Sequence, residues 1–266
     1  MLWLPILILA LVEGLTEFLP ISSTGHLVVA ARLLSFDPAW REPFLVVIQL
    51  GAIMAVLVDR RREIWSLLTA TRAQTVDLVI KLALGFLPSA ILGFLFHDAI
   101  SALLESPVGV SLAWIVGGVA ILFFDRGDTS GTDRTVRLLD ITRRQALLVG
   151  CAQILALWPG MSRSGSTIIG GLAVKLDRPT ATLFSFYLAI PTMFAASGYE
   201  LLKFRDQLAG TGPSFLLGMT IAFFVAWATI RWLLRFVAGH TFRGFAIYRI
   251  VAGLLLLVLP KDLVIE

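Results

Sequence analysis

Two proline-led, hydroxyl-rich stretches decide the fold of this chain: PISSTGHL at 20–27 and WPGMSRSGST at 158–167. Each interrupts an apolar stretch and then opens a new apolar run. Proline favours the beginning of a helix and is disfavoured in its interior. The two stretches therefore predict two pairs of short helices, over 2–34 and 145–175, each pair broken at a Pro.

The two stretches belong to an internal repeat with an offset of about 135 to 141 residues. Two further pairs of segments match in the same order: FLVVIQLGAIMAVL (44–57) with FSFYLAIPTMFAAS (184–197), and IVGGVAILFF (115–124) with IVAGLLLLVL (250–259). Self-similarity at a fixed offset indicates a repeated structural unit, although apolar helices also resemble one another by chance. We interpret 1–266 as a single membrane domain, with repeat one in 1–125 and repeat two in 145–260.

The composition is that of an integral membrane protein. Hydrophobic residues make up 58% of the chain, charged residues 15%, and the mean hydropathy is +0.87. Soluble domains are about half apolar and about one quarter charged. The formal charge of +4 would favour nucleic acid in a soluble protein, but here the arginines cluster in short loops between apolar spans. We therefore expect a membrane as partner and no nucleic acid.

The basic residues predict the orientation of the chain, because Lys and Arg in short loops favour the cytoplasmic side. Fourteen of the 22 lie in four loops: 59–77, 125–144, 175–180 and 231–243. All four loops lie inside only if both proline-broken pairs enter and leave on one side. The predicted fold is an all-α polytopic membrane protein with two inverted-topology repeats, six transmembrane helices and two re-entrant helical hairpins. Broken helices of this kind meet near the midplane and line a polar cavity.

Two glutamates in the first predicted hairpin are candidate metal ligands and catalytic groups. Ionisable residues inside a membrane are costly, so they are functional candidates by default. Glu13 and Glu17 are four residues apart and share one face of a helix. Neighbouring carboxylates in a low dielectric share a proton or bind a cation. The alternative is an interfacial helix with both carboxylates in water.

The residues after Pro20 include a candidate nucleophile and a candidate base. Ser23 and His26 are three apart and share a helical face, so the imidazole is able to take the hydroxyl proton while a carboxylate orients the ring. The alternative is that the hydroxyls only cap the helix. Ser22 and Thr24, on either side of Ser23, are candidate substrate-binding residues.

The second stretch has the properties of an anion site. Its glycines let backbone N–H groups approach an anion, the helix N-terminus adds positive potential, and Arg163 is able to hold two phosphate oxygens at once. The structural alternative is an ion pair of Arg163 with Glu13 or Glu17. The candidate residues for binding a phosphate or diphosphate are Ser162, Arg163, Ser164 and Thr167.

Other polar residues near the apolar spans have simpler interpretations. Gln49 either lines the cavity or bonds a neighbouring helix. Lys81, Tyr248 and Arg249 are predicted near span ends, where snorkelling or an interfacial position accounts for them. His97-Asp98 is predicted to be a helix-end feature on the outer side.

These residues resemble the paired signatures of the bacterial undecaprenyl-diphosphate phosphatases of the bacitracin-resistance type. The resemblance covers essentially the whole chain. It rests on Glu13-x-x-x-Glu17, LPISSTGH (19–26), IQLGAI (48–53), GFLPSAILGFLFHD (85–98), PGMSRSGST (159–167) and FAIYRI (245–250). The family's functional positions carry over without substitution to Glu13, Glu17, Ser23 and His26 in the first motif, and to Ser162, Arg163, Ser164 and Thr167 in the second.

The resemblance implies hydrolysis of undecaprenyl diphosphate to the monophosphate carrier lipid at the outer face of the cytoplasmic membrane. It also implies dependence on a divalent cation, Mg²⁺ or Ca²⁺, and bacitracin resistance. On this interpretation Arg163 and the second turn hold the diphosphate, a cation near Glu13 and Glu17 neutralises its charge, and Ser23 attacks the terminal phosphorus. The sequence leaves attack by His26 or by metal-bound water open, and it does not decide between a monomer and a homodimer.

The competing interpretation is a transporter, because inverted repeats with broken helices at a midplane site are also the plan of secondary transporters. A transporter needs no nucleophile, so the pairing of Ser23 with His26 favours the enzyme. A structural scaffold does not account for Glu, His and Arg residues together in apolar segments.

Overall fold

The computed structural model describes residues 3–96, 100, 107–126, 134–205 and 212–258. Within these ranges the chain is helical, with ten α-helices and two short 3₁₀-helices at Leu138–Asp140 and Ile154–Leu157. The α-helices are α1 Trp3–Thr16, α2 Ser23–Leu33, α3 Pro38–Leu68, α4 Arg72–Leu95, α5 Pro107–Phe124, α6 Arg143–Gln153, α7 Arg163–Ala173, α8 Arg178–Lys203, α9 Gly212–Val237 and α10 Arg243–Val258. His97-Asp98 lies outside the described residues.

Four helices, α3, α4, α8 and α9, are long and apolar enough to cross a membrane, since about 20 residues span the hydrocarbon core. α1 and most of α5 are apolar but shorter. Large apolar side chains cover the outside of the molecule; Phe94 and Leu202, for example, expose 79% and 73% of their surface. An apolar exterior of this extent fits lipid and not water. The prediction of an all-α, multi-pass membrane protein is confirmed.

Both predicted pairs of short helices are present. α1 and α2 are separated by the turn 17–22, and α6 and α7 by a 3₁₀-turn and the residues after it. Pro20 does not begin the second helix of its pair, as the sequence predicted, but lies in the turn. Ser22 caps α2 and Ser162 caps α7, each accepting a hydrogen bond from the backbone N–H three residues later.

The pairs pack closely on the long helices. α1 lies against α9, α6 lies against α4, and α3 contacts both α8 and α9. Glycines allow this proximity: a Cβ added at Gly14 would lie 2.8 Å from the Ala222 carbonyl oxygen, and one at Gly51 would lie 2.2 Å from the Met219 carbonyl oxygen. Small residues at helix contacts are typical of membrane proteins, where close packing replaces the hydrophobic effect between helices.

The four basic loops meet at one end of the molecule. Arg231 Nε lies 2.8 Å from Asp59, and Arg143 Nε lies 2.8 Å from Asp77. Buried Asp125 accepts hydrogen bonds from Arg178 and from the backbone N–H of Phe242. These contacts join 59–77 to 231–243 and 125–144, and they join 125–144 to 175–180.

Candidate active site

The first hairpin turn joins α1 to α2, and the second joins α6 to α7. The two turns contact each other directly in the centre of the molecule. Arg163 Nη2 donates to Glu17 Oε1 at 2.9 Å, and Ser164 Oγ donates to the Leu19 carbonyl at 2.7 Å. Phe18 is completely buried, packs edge-to-face on Phe186 and lies 5.8 Å below the Arg163 guanidinium. The turns are therefore held together by packing as well as by charge.

Glu17 uses both of its carboxylate oxygens. Oε2 accepts a hydrogen bond of 2.5 Å from Ser23 Oγ, and Oε1 accepts from Arg163. Hydrogen bonds to an ionised group are short and strong. The result is a line of three groups, Ser23–Glu17–Arg163, in which the carboxylate is placed to take the serine proton and the arginine balances its charge.

His26 has a different set of partners from the one expected. Its Nδ1 lies 2.6 Å from the Ser22 carbonyl oxygen, and its Nε2 lies 2.6 Å from Tyr248 Oη. The ring also stacks on Trp114 at a centroid distance of 4.5 Å. A carbonyl only accepts hydrogen bonds, so Nδ1 carries the proton and a neutral His26 accepts from Tyr248 through Nε2. The hydrogen bond of Ser23 therefore runs to Glu17, whereas sequence spacing paired Ser23 with His26.

Glu13 is the carboxylate that best fits a metal ion. It is 1% exposed, and its Oε1 has no hydrogen-bond partner among the described residues. A buried acceptor without a donor is unfavourable, and a cation would satisfy it. No group of three or more His, Cys, Asp or Glu side chains suited to a metal occurs in the described ranges. Two carboxylates with water and phosphate oxygens suffice for Mg²⁺, so Glu13 and Glu17 fit this ion.

The hydroxyls of the second turn mostly hold the protein together. Ser162 Oγ caps α7, and Ser164 Oγ bonds the first turn. Thr167 Oγ1 contacts Ser185 Oγ at 2.7 Å and the backbone of its own helix. By contrast, the Nε of Arg163 is buried without a hydrogen-bond partner in the described structure, which leaves a donor for a ligand.

Three adjoining cavities surround these groups. The turn cavity, of about 240 Å³, is lined by Glu17, Ser22, Ser23, Thr24, Gln49, Gly160, Ser162, Arg163, Thr192 and Ala196, among others. The polar cavity, of about 400 Å³, is lined by residues that include Glu13, Ser23, Thr24, Arg41, Glu42, Val46, Gln49, Glu200 and Lys203. The apolar cavity, of about 1000 Å³, is lined by residues that include Phe86, Ala90, Phe94, Leu95, Arg163, Thr192, Ala196 and Tyr199. Gln49 lines two cavities and also accepts a hydrogen bond from Ser197, so both of its expected roles fit the structure.

The predicted site residues fall into two groups, those that line a cavity and those that do not. Glu13, Glu17, Ser22, Ser23, Thr24, Ser162 and Arg163 line the turn cavity or the polar cavity. Ser164, Thr167 and His26 are not among the residues that line these two cavities. These three side chains instead contact protein groups: Ser164 contacts Leu19, Thr167 contacts Ser185, and His26 contacts Ser22 and Tyr248.

Comparison with known proteins shows the family of this chain. The family model of the bacitracin resistance protein BacA matches residues 6–255, a range that contains every residue of the site. The chain belongs to the BacA family. Among its relatives, the undecaprenyl-diphosphatase of Laribacter hongkongensis is 49% identical over 255 residues, and undecaprenyl-diphosphatase 1 of Paraburkholderia xenovorans is 49% identical over 259 residues. Each alignment covers 94% of this chain and 92% of the relative.

Arg249 is a central residue of this BacA-family chain that the sequence interpretation missed. The interpretation as a snorkelling or interfacial side chain was wrong, because Arg249 is 0% exposed. Its guanidinium donates to five carbonyl oxygens, those of Ala113, Trp114, Pro20, Gly160 and Met161. A Cβ at Gly117 would lie 2.0 Å from its Nη2, so only glycine leaves room for this side chain. Arg249 thereby ties both hairpin turns to α5.

One signal in the sequence pointed to Arg249. An arginine within an apolar helix is by default a functional or structural centre. Its nearness to the start of α10 at Arg243 made a position at the membrane surface the simpler interpretation. Its carbonyl partners come from distant parts of the chain, and backbone carbonyls leave no pattern in a sequence.

Proposed function

We propose that this BacA-family chain is an undecaprenyl-diphosphate phosphatase. It hydrolyses undecaprenyl diphosphate to undecaprenyl phosphate and inorganic phosphate, which recycles the carrier lipid for cell-wall synthesis and gives bacitracin resistance. The single observation that carries this conclusion is the line Ser23–Glu17–Arg163, which joins a nucleophile, a base and an anion-binding group across the two turns. The undecaprenyl-diphosphatases to which the chain is similar support the substrate.

The geometry supports a two-step displacement. Ser23 Oγ attacks the terminal phosphorus, its proton passes to Glu17, and the bond between that phosphorus and the bridging oxygen breaks to release the lipid monophosphate. Water then attacks the phosphoserine, the bond between phosphorus and Ser23 Oγ breaks, and Ser23 regains a proton from Glu17. Arg163 binds oxygens of the diphosphate and balances the negative charge that gathers on the leaving lipid phosphate. Positioning and charge neutralisation supply most of the rate in phosphoryl transfer.

The partners of His26 favour a positioning role over a role as base or nucleophile. Its protonated Nδ1 holds the Ser22 carbonyl, and Ser22 is the residue that sets the direction of Ser23. Ser22 has a φ of 72°, a conformation that non-glycine residues adopt only when their surroundings fix it. His26 therefore acts on Ser23 through the backbone.

Glu13 and Glu17 are the residues that would hold a divalent cation, Mg²⁺ or Ca²⁺. The bound ion would neutralise part of the diphosphate charge and orient its oxygens. The unpartnered Oε1 of Glu13 supports this assignment. Because both oxygens of Glu17 already have protein partners, Glu13 would be the stronger ligand in the free protein.

The apolar cavity suits the part of the prenyl chain next to the head group. Aromatic and aliphatic side chains dominate its lining, and Arg163 lies at its boundary with the turn cavity. Binding an isoprenoid there removes apolar surface of both partners from their surroundings, while the diphosphate reaches the polar groups. An amphiphilic substrate therefore fits these cavities, with its prenyl chain in the apolar cavity and its diphosphate in the turn cavity.

We also propose the finer topology of two inverted repeats, six transmembrane helices and two re-entrant hairpins. The helices α2, α3 and α4 begin 140 residues before α7, α8 and α9 respectively. The four non-glycine residues with positive φ in the described chain form two pairs with the same offset, Ser22 with Ser162 and Ser35 with Lys175. Residues other than glycine rarely have a positive φ, so their occurrence at equivalent positions of the two halves supports a true repeat.

The proposed location is the cytoplasmic, or inner, membrane, with the active site facing outward. The polar cavity extends to Arg41, Glu42 and Lys203. These residues lie in the segments 32–43 and 203–212, which hold few basic residues, whereas the four basic loops meet at the other end. A cytoplasmic position of the basic loops would leave the polar cavity open to the outside.

The decisive test separates hydrolysis from transport. Purified wild type is expected to release phosphate from undecaprenyl diphosphate, and EDTA is expected to stop the release. Ser23→Ala should abolish release while the lipid still binds, and Ser66→Ala, an exposed serine on α3, serves as the matched control. Lipid or anion movement across vesicles by an intact protein that releases no phosphate would instead support the transporter.

A further inference from the structure

We propose that inorganic phosphate leaves the site through the polar cavity, whereas the lipid enters and leaves through the apolar cavity. The two products of the reaction would thus follow separate routes. This inference rests on the proposed function, since it concerns the products of diphosphate cleavage.

The turn cavity is one junction between the two routes, and Glu200 lines both the polar cavity and the apolar cavity. It shares Arg163, Thr192 and Ala196 with the apolar cavity. It shares Ser23, Thr24 and Gln49 with the polar cavity. The nucleophile therefore lies on the wall between the turn and polar cavities, and the arginine lies on the wall between the turn and apolar cavities.

The amphiphilic substrate has one favourable binding orientation across these cavities. With the prenyl chain in the apolar cavity, the phosphate attached to it reaches Arg163 first, and the terminal phosphate reaches Ser23. Cleavage frees the terminal phosphate on the polar side of the junction. A phosphate dianion is strongly disfavoured in an apolar cavity, and the lipid monophosphate blocks that direction until it dissociates. The polar cavity is then the open path.

The charges at the end of the polar cavity suit a transient anion. Arg41 Nε lies 3.6 Å from Glu42 Oε1, and Lys203 Nζ lies 3.7 Å from Glu200 Oε2. These separations exceed hydrogen-bond length, so within the part of the chain that the structure describes both cations keep N–H groups for an anion. The nearby carboxylates keep the binding weak. Weak attraction draws phosphate outward without retaining it.

The first experiment measures inorganic phosphate as a product inhibitor of the purified enzyme. The double variant Arg41→Gln/Lys203→Gln is expected to raise the Ki of phosphate roughly threefold to tenfold. The KM for undecaprenyl diphosphate should stay within about twofold, since the lipid binds on the other side of the junction. The control is Arg62→Gln/Arg72→Gln, which removes the same charge from exposed positions near the basic end; its Ki should equal that of wild type.

A second experiment narrows each route in turn. Val46 lines the polar cavity and Ala90 lines the apolar cavity. Val46→Trp is expected to lower kcat about fivefold or more with little change in KM, because release is hindered. Ala90→Trp is expected to raise KM and to leave the Ki of phosphate unchanged. Melting curves and gel filtration of both variants check that they are folded.

Each outcome decides between the routes. A raised KM with an unchanged Ki in the double variant would show that the polar cavity admits the lipid, which overturns the proposal. An active enzyme in which neither constant changes would also overturn the proposal while leaving the phosphatase intact. A wild type that releases no phosphate would reject the proposed function itself, which is a distinguishable result.

Discussion

The two hairpin turns share a backbone but differ in chemistry. Ser22 and Ser162 have φ values of 72° and 74°, and each caps the following helix in the same way. At the offset of 140 residues, however, Ser23 corresponds to Arg163, the first residue of its helix in each case. One half supplies the proposed nucleophile and the other supplies a cation at equivalent positions.

The acidic residues differ between the halves as well. Glu13 corresponds to Gln153 and Glu17 to Leu157. Gln153 donates to Ser89 and lines the apolar cavity, so it serves the lipid side of the molecule. The comparison teaches that two turns with the same backbone form carry different side chains, so the proposed site requires both turns.

The largest effect is expected from the first turn. Ser23→Ala or Glu17→Gln should lower kcat roughly a thousandfold, because each removes a partner of the attack on phosphorus. Steady-state phosphate release measures the loss, and binding of the intact lipid checks that the site persists. Turnover by Ser23→Ala near the wild-type rate would assign the attack to His26 or to water.

Arg249 joins the two turns, so its loss should separate them. Arg249→Met removes five hydrogen bonds to buried backbone carbonyl groups, three of which lie in the two turns. We expect the free energy of unfolding to fall by about 3 kcal/mol or more. Denaturation in detergent measures this change, with exposed Arg62→Met as the control. Unchanged stability would mean that the turns hold together without Arg249.

The second turn should be sensitive to geometry as well as to charge. Arg163→Lys keeps the positive charge but loses the fork that contacts Glu17 and the Ser185 carbonyl together. We expect kcat/KM to fall roughly tenfold to a hundredfold, since lysine does not replace arginine at a forked site. A kcat/KM equal to that of wild type would mean that only the positive charge at residue 163 matters, and not the forked geometry of arginine.

The smallest effect is expected at the support of His26. Tyr248→Phe removes one hydrogen bond to Nε2, which is worth about 1 kcal/mol. We expect kcat to fall roughly fivefold, while the dependence of kcat on pH keeps its shape if Glu17, as proposed, takes the proton in place of His26. A shift of the pH profile in Tyr248→Phe would restore His26 as the base.

Much of the fold followed from local patterns. Proline and hydroxyl residues predict both helix pairs, and the loops rich in arginine, which charge assigns to one side, contact one another in the structure. These features depend on short stretches, in which backbone preference and charge act directly. Local patterns also singled out Glu13, Glu17, Ser23 and Arg163: Glu13 lines the polar cavity with Ser23, and Glu17 contacts Ser23 and Arg163.

What sequence did not predict depends on contacts between distant or irregular segments. Helical spacing paired Ser23 with His26, but the turn 17–22 separates two helices and brings Glu17 back onto Ser23. The five carbonyl partners of Arg249 lie between 88 and 229 residues away. Backbone geometry and long-range packing fix these contacts, and neither is visible in residue types.

A double-mutant cycle between the two turns tests the central claim most directly. Phosphate release is measured for wild type, Glu17→Gln, Arg163→Ala and the double variant, each with and without EDTA. If the two turns form one catalytic unit, wild type shows metal-dependent release, each single variant loses it, and the double variant is no worse than the more damaged single variant. Losses that add independently, or ready release by either single variant, would contradict a site shared between the two turns.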